Sequence, residues 1–419
     1  MQLALDVSFT DFPVTLPGKL TPDQIQIWRE NTWGQRGIDL VMNTALAYGA
    51  KLINFRVHAP GPMWHSKVHG TTPFNWGEYT KRLGLTPTMA EWDMVAAGIK
   101  AAHQREIKIL GWFDMTEGHA GLPTAWALGH PECGIVTREG IRCDGPVGLV
   151  GKDGTRFEKD MVWMDYDELI EKGFMDRYCL RPDGVPLDPQ PSMAFPEVVE
   201  YRLALLNEVL DMGLDGLFLV VCFGVGHEKP SADRFKQKYG LDSRQVADDD
   251  PRWIEHQRYY FTDFFRKVRD LIRRKEQTTG RKIKFIVEGQ GGIPGHGLQE
   301  PEIGMKTVPK WAAMQRCVDV ETLAREKIVD TFAFWTLREM DALSPDVRKN
   351  INLATRYRYY NPEEFTEENY RARIREAQKR GVSIFLVNEA RCALMHHSWF
   401  YPGKPGPLFD LAQKFRKRT

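Results

Sequence analysis

Eight short apolar runs, separated by amphipathic helical stretches along almost the whole chain, limit the fold more than any other feature. They are Leu3 to Phe9, Leu52 to Val57, Ile107 to Phe113, Leu217 to Phe223, Ile283 to Val287, Asp330 to Trp335, Ile351 to Tyr357 and Val382 to Val387. Parallel strands covered on both faces read as continuous apolar segments, and strands that alternate with helices build a parallel sheet with right-handed crossovers. Eight such units predict an α/β fold, a (β/α)8 TIM barrel with its chemistry at the C-terminal ends of the strands. A chain of 419 residues with 42% hydrophobic content fills one barrel with long loops, so residues 1–419 are read as a single domain.

The helices show themselves through their starts. Thr21-Pro22-Asp23-Gln24, Thr88-Met89-Ala90-Glu91 and Asn361-Pro362-Glu363-Glu364 each set a capping side chain three residues before a carboxylate or amide. After Asp250-Pro251, the residues Trp253, Ile254, Phe261, Phe264, Phe265, Val268, Leu271 and Ile272 recur at helical spacing and form one apolar stripe. Pro196 to Met212 reads as a helix through Val198, Val199, Leu203, Leu206 and Leu210, stopped by Gly213 before the fourth strand. Two non-periodic insertions, about 119–195 and 290–313, follow strands three and five and therefore belong to the functional face.

Charge and cysteine content narrow the partners. With 57 basic and 56 acidic residues the net charge is +1, so no global field draws nucleic acid or an anionic membrane. No window has the apolar length of a membrane span, and Met1 to Pro17 lacks a basic segment followed by an apolar core. The expectation is a soluble protein, cytoplasmic as given, or periplasmic or secreted if a signal peptide has been removed. The six cysteines include no CxxC pair, which argues against a zinc knuckle and leaves free thiols, with a Cys133–Cys143 disulfide open.

Candidate chemistry lies at the strand ends. Strand three delivers Trp112 and Asp114, followed by Glu117 and His119, and Asp114 could equally cap backbone amides in the turn. Glu288 ends strand five before Gly289, and a carboxylate on that rim suits acid, base or nucleophilic work, with pairing to Arg356 of strand seven as the structural alternative. Strand two brings Arg56 and His58. Asn388 and Glu389 end strand eight ahead of His396, His397 and Trp399, aromatic and hydrogen-bonding groups that suit a hydroxyl-rich ligand. Trp112, Trp335 and Trp399, each at or beyond a strand end, are the candidate stacking surfaces. His58, His119, His227 and Glu288 carry no metal-ligand spacing, and the glycines after Glu288 lack the Lys-Ser/Thr of a phosphate loop, so neither metal nor cofactor is expected.

The order of segments resembles the TIM barrels grouped as glycosyl-hydrolase-like family 10, found in bacterial carbohydrate-processing loci. The resemblance covers most of residues 50–415. It rests on Gly111-Trp112-Phe113-Asp114 with Glu117 and His119, on Phe195-Pro196-Glu197-Val198 leading to Gly213-Leu214-Asp215-Gly216-Leu217, and on Val318-Asp319-Val320-Glu321-Thr322 before Val329-Asp330. It implies a glycoside hydrolase, although fold-level likeness does not carry function by itself. Relatives continue the Asp-Gly strand with an acid about four residues on, where this chain has Val220.

Residues and resemblance together lead to an expected glycosidase with Glu288 and Glu117 as its carboxylate pair and Asp114 as alternate for the latter. Arg56, His58, Trp112, His119, His227, Trp335, Arg356, Asn388, Glu389 and Trp399 would hold an oligo- or polysaccharide, with an acidic or decorated sugar suited to the Arg and His content. The rivals are a non-catalytic carbohydrate-binding barrel and a metal-dependent isomerase or hydrolase. Self-association is left open.

Overall fold

The structure, a computed structural model, describes residues 1–7, 33–58, 61–68, 86–115, 174, 176–180, 182–184, 186–221, 224–247, 249–289, 317–334, 337–357 and 367–387. All eight predicted runs form barrel strands. They are β1 (Gln2–Val7), β2 (Leu52–His58), β3 (Lys108–Asp114), β6 (Gly216–Val221), β7 (Lys284–Gly289), β8 (Thr331–Phe334), β9 (Asn352–Tyr357) and β10 (Val382–Val387). Every neighbouring pair is parallel, and β1 pairs with both β2 and β10 to close the ring. A separate antiparallel hairpin, β4 (Tyr178–Leu180) with β5 (Pro186–Pro191), lies between the third and fourth barrel strands. It falls inside the insertion that sequence periodicity leaves unstructured, because a three-residue strand is too short to show a period.

The helices are α1 (Gly34–Tyr48), α2 (Met94–His103), α3 (Pro196–Asp211), α4 (Lys229–Tyr239), α5 (Pro251–Thr279), α6 (Val320–Arg325), α7 (Leu337–Asp341), α8 (Pro345–Asn350) and α9 (Glu367–Lys379). The α5 stripe is buried as its spacing predicts, except that Ile254 is half-buried. One predicted start moves. Thr88 does bond Glu91 through its backbone N–H (2.8 Å) and hydroxyl (3.0 Å), but this closes only a turn. The helix begins at Met94, where the Asp93 carboxylate accepts from the Ala96 amide at 2.8 Å. The caps proposed at 21–24 and 361–364 lie outside the described residues. Among the described residues no helix is long and apolar enough to cross a membrane.

Strand alternation divides the apolar residues into two cores. Outward residues such as Leu5, Phe55, Phe113, Leu219 and Phe285 pack under the helices. Inward residues, among them Ala4, Leu110, Trp112, Phe218, Ile286, Ala333 and Leu386, fill the barrel and touch one another separately. Large Trp112 and Phe218 share this interior with small Ala4, Ala333 and Ala354, so the barrel is packed rather than hollow.

Candidate active site at the barrel mouth

At the C-terminal end the inward positions turn polar. Asp6, Trp112, Glu288 and Arg356 come from barrel strands one, three, five and seven, the alternate-strand set that makes one layer of side chains across such a barrel. Bulky aliphatic residues usually fill these layers. Here Arg356 Nε lies 2.7 Å from Asp6 Oδ2 and 3.0 Å from Glu288 Oε2, and its Nη1 donates to Glu288 Oε1 at 3.1 Å. Asn54 Nδ2 donates to the second oxygen of Asp6 at 2.7 Å. Asp6, Asn54, Glu288 and Arg356 are all buried, so the Arg–carboxylate attraction acts with little screening by water.

A second pair lies beside this layer. Arg56 Nη2 binds Asp114 Oδ2, and Trp112 Nε1 donates to Asp114 Oδ1 at 2.9 Å. The guanidinium carbons of Arg356 and Arg56 sit 4.2 Å and 4.9 Å from the centre of the Trp112 ring. Trp112 therefore touches both ion pairs, and the two join in one network. Arg56 is the most open of these charges, its side chain 11% exposed. Strand register sets Asp114, Val220 and Glu288 opposite one another on adjacent strands, so an apolar side chain occupies the position between the two acids.

Five residues singled out from sequence thus come together: Arg56, Trp112, Asp114, Glu288 and Arg356. The open sugar-stacking face expected of Trp112 is not found, because the ring is only 5% exposed and is taken up by guanidinium contacts. His58 is also displaced from the mouth. Arg56 pairs with Trp112 but His58 pairs with Phe113, so β2 advances two residues for one of β3, and this bulge sends His58 outward. It stacks on Phe113 with ring centres 4.0 Å apart and accepts from Arg202 of α3 at 2.7 Å. His227 follows strand four, stacks on Trp253 and lies outside the network. Glu117, His119, Trp335, Asn388, Glu389 and Trp399 lie outside the described residues.

Sequence reading missed Asp6 and Asn54. The signal was present, since both are polar residues inside runs that a fully covered parallel strand should keep apolar. It also missed Glu228, a buried carboxylate on the loop after strand four, which accepts from the Leu180 amide at 3.1 Å and from the Ser192 hydroxyl. Burial pushes the Glu228 carboxyl up in spite of these donors. Among the described residues no group of three or more His, Cys, Asp or Glu side chains is arranged to hold a metal ion. Cys179 and Cys317 are buried free thiols, and the Cys133–Cys143 pair lies outside the described residues.

Fold and mouth together define a (β/α)8 barrel with a charged C-terminal layer. No family model matches the chain, and no curated protein matches it. Solved structures similar to it include morphinone reductase in complex with tetrahydroNAD, at 12% identity over 98% of this chain and 86% of that one, with a TM-score of 0.41. Another contains the GH20 catalytic modules of the pneumococcal exo-beta-D-N-acetylglucosaminidase, at 9% identity over 100% and 83% of the two chains, with a TM-score of 0.45. Trehalose-6-phosphate hydrolase of Bacillus licheniformis aligns at 12% identity over 92% and 64%, with a TM-score of 0.43. Likeness at this level assigns no chemistry to the chain, which has to be read from its own residues.

Proposed function

We propose that this protein is a glycoside hydrolase acting on an oligo- or polysaccharide, with Glu288 as the nucleophile or base of a carboxylate pair. The observation that carries the reading is the replacement of an aliphatic layer by Asp6, Trp112, Glu288 and Arg356 at the end of the barrel where catalytic groups collect. A carboxylate in an ion pair can attack carbon or accept a proton but has no proton to donate. The acid must then be a second group, for which Glu117 is the candidate; its alternate, Asp114, is itself ion-paired with Arg56 and by the same argument fits the base or nucleophile role rather than the acid. Arg56, the most open cation of the cluster, suits the carboxylate or sulfate of an acidic sugar. His119, Trp335, Asn388, Glu389 and Trp399 complete the proposed sugar contacts.

The test is Glu288→Gln against a panel of aryl glycosides, uronides and polysaccharides. Turnover should fall by about a hundredfold to ten-thousandfold, the range that positioned acid–base groups supply. Equal turnover by the variant would remove Glu288 from catalysis.

One observation favours a second reading, a carbohydrate-binding barrel without hydrolysis. Both described acids nominated for catalysis are held by guanidinium groups, and Val220 stands between them in register. Retardation of the wild-type protein in polysaccharide gels without release of reducing ends would select this alternative.

A further inference from the structure

Gly224-Val225-Gly226-His227-Glu228 runs from the fourth barrel strand into α4 and carries a joint outside the ion-pair network. A Cβ on Gly226 would lie 2.4 Å from the Leu180 carbonyl oxygen and 2.5 Å from its nitrogen, so only glycine lets this loop rest on the β4–β5 hairpin. The His227 amide donates to Leu180 O at 2.8 Å, while Glu228 accepts from Leu180 N and from Ser192 just beyond β5. Two consecutive residues thus fasten both ends of the hairpin. The His227 ring is fixed in turn, parallel to Trp253 at 4.5 Å and with Nδ1 3.0 Å from Ser243 Oγ. His256 stacks on the same indole at 5.3 Å, and its Nε2 lies 3.0 Å from Ser231 Oγ.

We propose that the His227–Trp253–His256 stack is an acid-released catch, in which protonation of the imidazoles frees the 224–228 loop and, with it, the β4–β5 hairpin that the loop after barrel strand four holds. Burial holds both imidazoles neutral and brings each down to about 4. Asp242 opposes this at His227 while Arg244 assists, and Arg234 and Lys238 of α4 assist at His256. Glu255 of α5 binds Lys238 at 2.7 Å and Tyr239 at 2.8 Å, which ties up part of the facing charge. Glu228 also faces Tyr260 of α5, whose hydroxyl burial pushes up to about 12.

The direction follows from proton counting. Between pH 6.5 and about 4 the released imidazoles bind more protons than the stacked ones, so lower pH favours release. Each histidine contributes up to about tenfold in the opening equilibrium per pH unit, and the two together up to about a hundredfold. Glu228 acts in the opposite sense. Its raised carboxyl contributes stability that is present below its ordinary value of 4.5 and lost as pH rises, so the net dependence falls between those limits.

Hydrogen–deuterium exchange of the full chain at pH 7, 6 and 5, corrected for intrinsic rates, tests the catch. Peptides covering 178–192 and 224–239 should lose protection at each step, by up to about tenfold from pH 7 to pH 6 and up to about a hundredfold from pH 6 to pH 5, while those covering 216–221 and 284–289 hold theirs. His227→Gln or His256→Gln should lower that slope by about one proton. Equal protection of the joint at pH 7 and pH 5, loss shared equally with the barrel strands, or an unchanged slope in both variants would overturn it. No substrate enters the experiment, so its failure and that of the glycosidase proposal are separate events.

Discussion

The two ends of the barrel hold their acids in opposite ways. At the N-terminal end, Asp215 and Asp330 repeat one arrangement. Each precedes a strand, accepts the backbone amide of the neighbouring strand with its carboxylate (Ile109 at 3.0 Å, Phe285 at 2.7 Å), and donates its own amide back to the same residue at 2.8 Å and 2.9 Å. A base stands behind each, Lys108 at 2.8 Å from Asp215 and Arg269 at 3.0 Å from Asp330. These acids staple strand edges and leave little for a ligand. At the C-terminal end the carboxylates of Asp6, Asp114 and Glu288 bond arginine, asparagine and indole side chains. Charge anchored to backbone reads as stability, and charge set against charge on the functional face reads as chemistry.

Substitutions can break this contrast. The largest stability effect is expected from Arg356→Met, which takes the shared cation from two fully buried carboxylates. Losing one partner of a buried pair costs about 3–5 kcal/mol, visible as a lower denaturation midpoint. Asp215→Asn comes next, at about 1–3 kcal/mol for the weakened contacts. Burial works to raise the Asp215 carboxyl, but Lys108, the Ile109 amide and His103 outweigh it and hold the group below its ordinary 3.8. Its contribution is therefore present above pH 3.8 and lost as pH falls through the lower folded value, and the variant should lack that part of the acid loss. Asp330→Asn should cost least, about 1 kcal/mol, because its side chain is 42% exposed. If Asp215→Asn and Asp330→Asn both left the denaturation midpoint unchanged, the assignment of these acids to anchoring would fail.

The barrel was legible because its strands are covered on both faces and so read as unbroken apolar runs with helices between them. Mouth residues at strand tips, such as Asp114 and Glu288, were legible for the same reason: the run stops at them. Asp6 and Asn54 were harder, since each sits one or more residues before the end of its run and looks like an interruption. His58 defeated the pattern outright, because a one-residue bulge changes the face a side chain takes and leaves no mark in composition. The Thr88 box formed its bonds but not a helix, as Asp93 five residues on supplies the cap that the helix uses. The hairpin joint needed the fold, since Leu180, His227 and His256 are far apart in sequence and meet only once strand four has delivered its loop.

The central claim is that the charged layer at the mouth exists for reaction and the acids at the opposite end for stability. Turnover of a glycoside panel by Glu288→Gln, measured beside Asp215→Asn and the wild type, tests it most directly. The account predicts a folded Glu288→Gln variant with activity lowered by about a hundredfold or more, and an Asp215→Asn variant that is less stable but fully active. Wild-type turnover by Glu288→Gln, or loss of activity confined to Asp215→Asn, would contradict it.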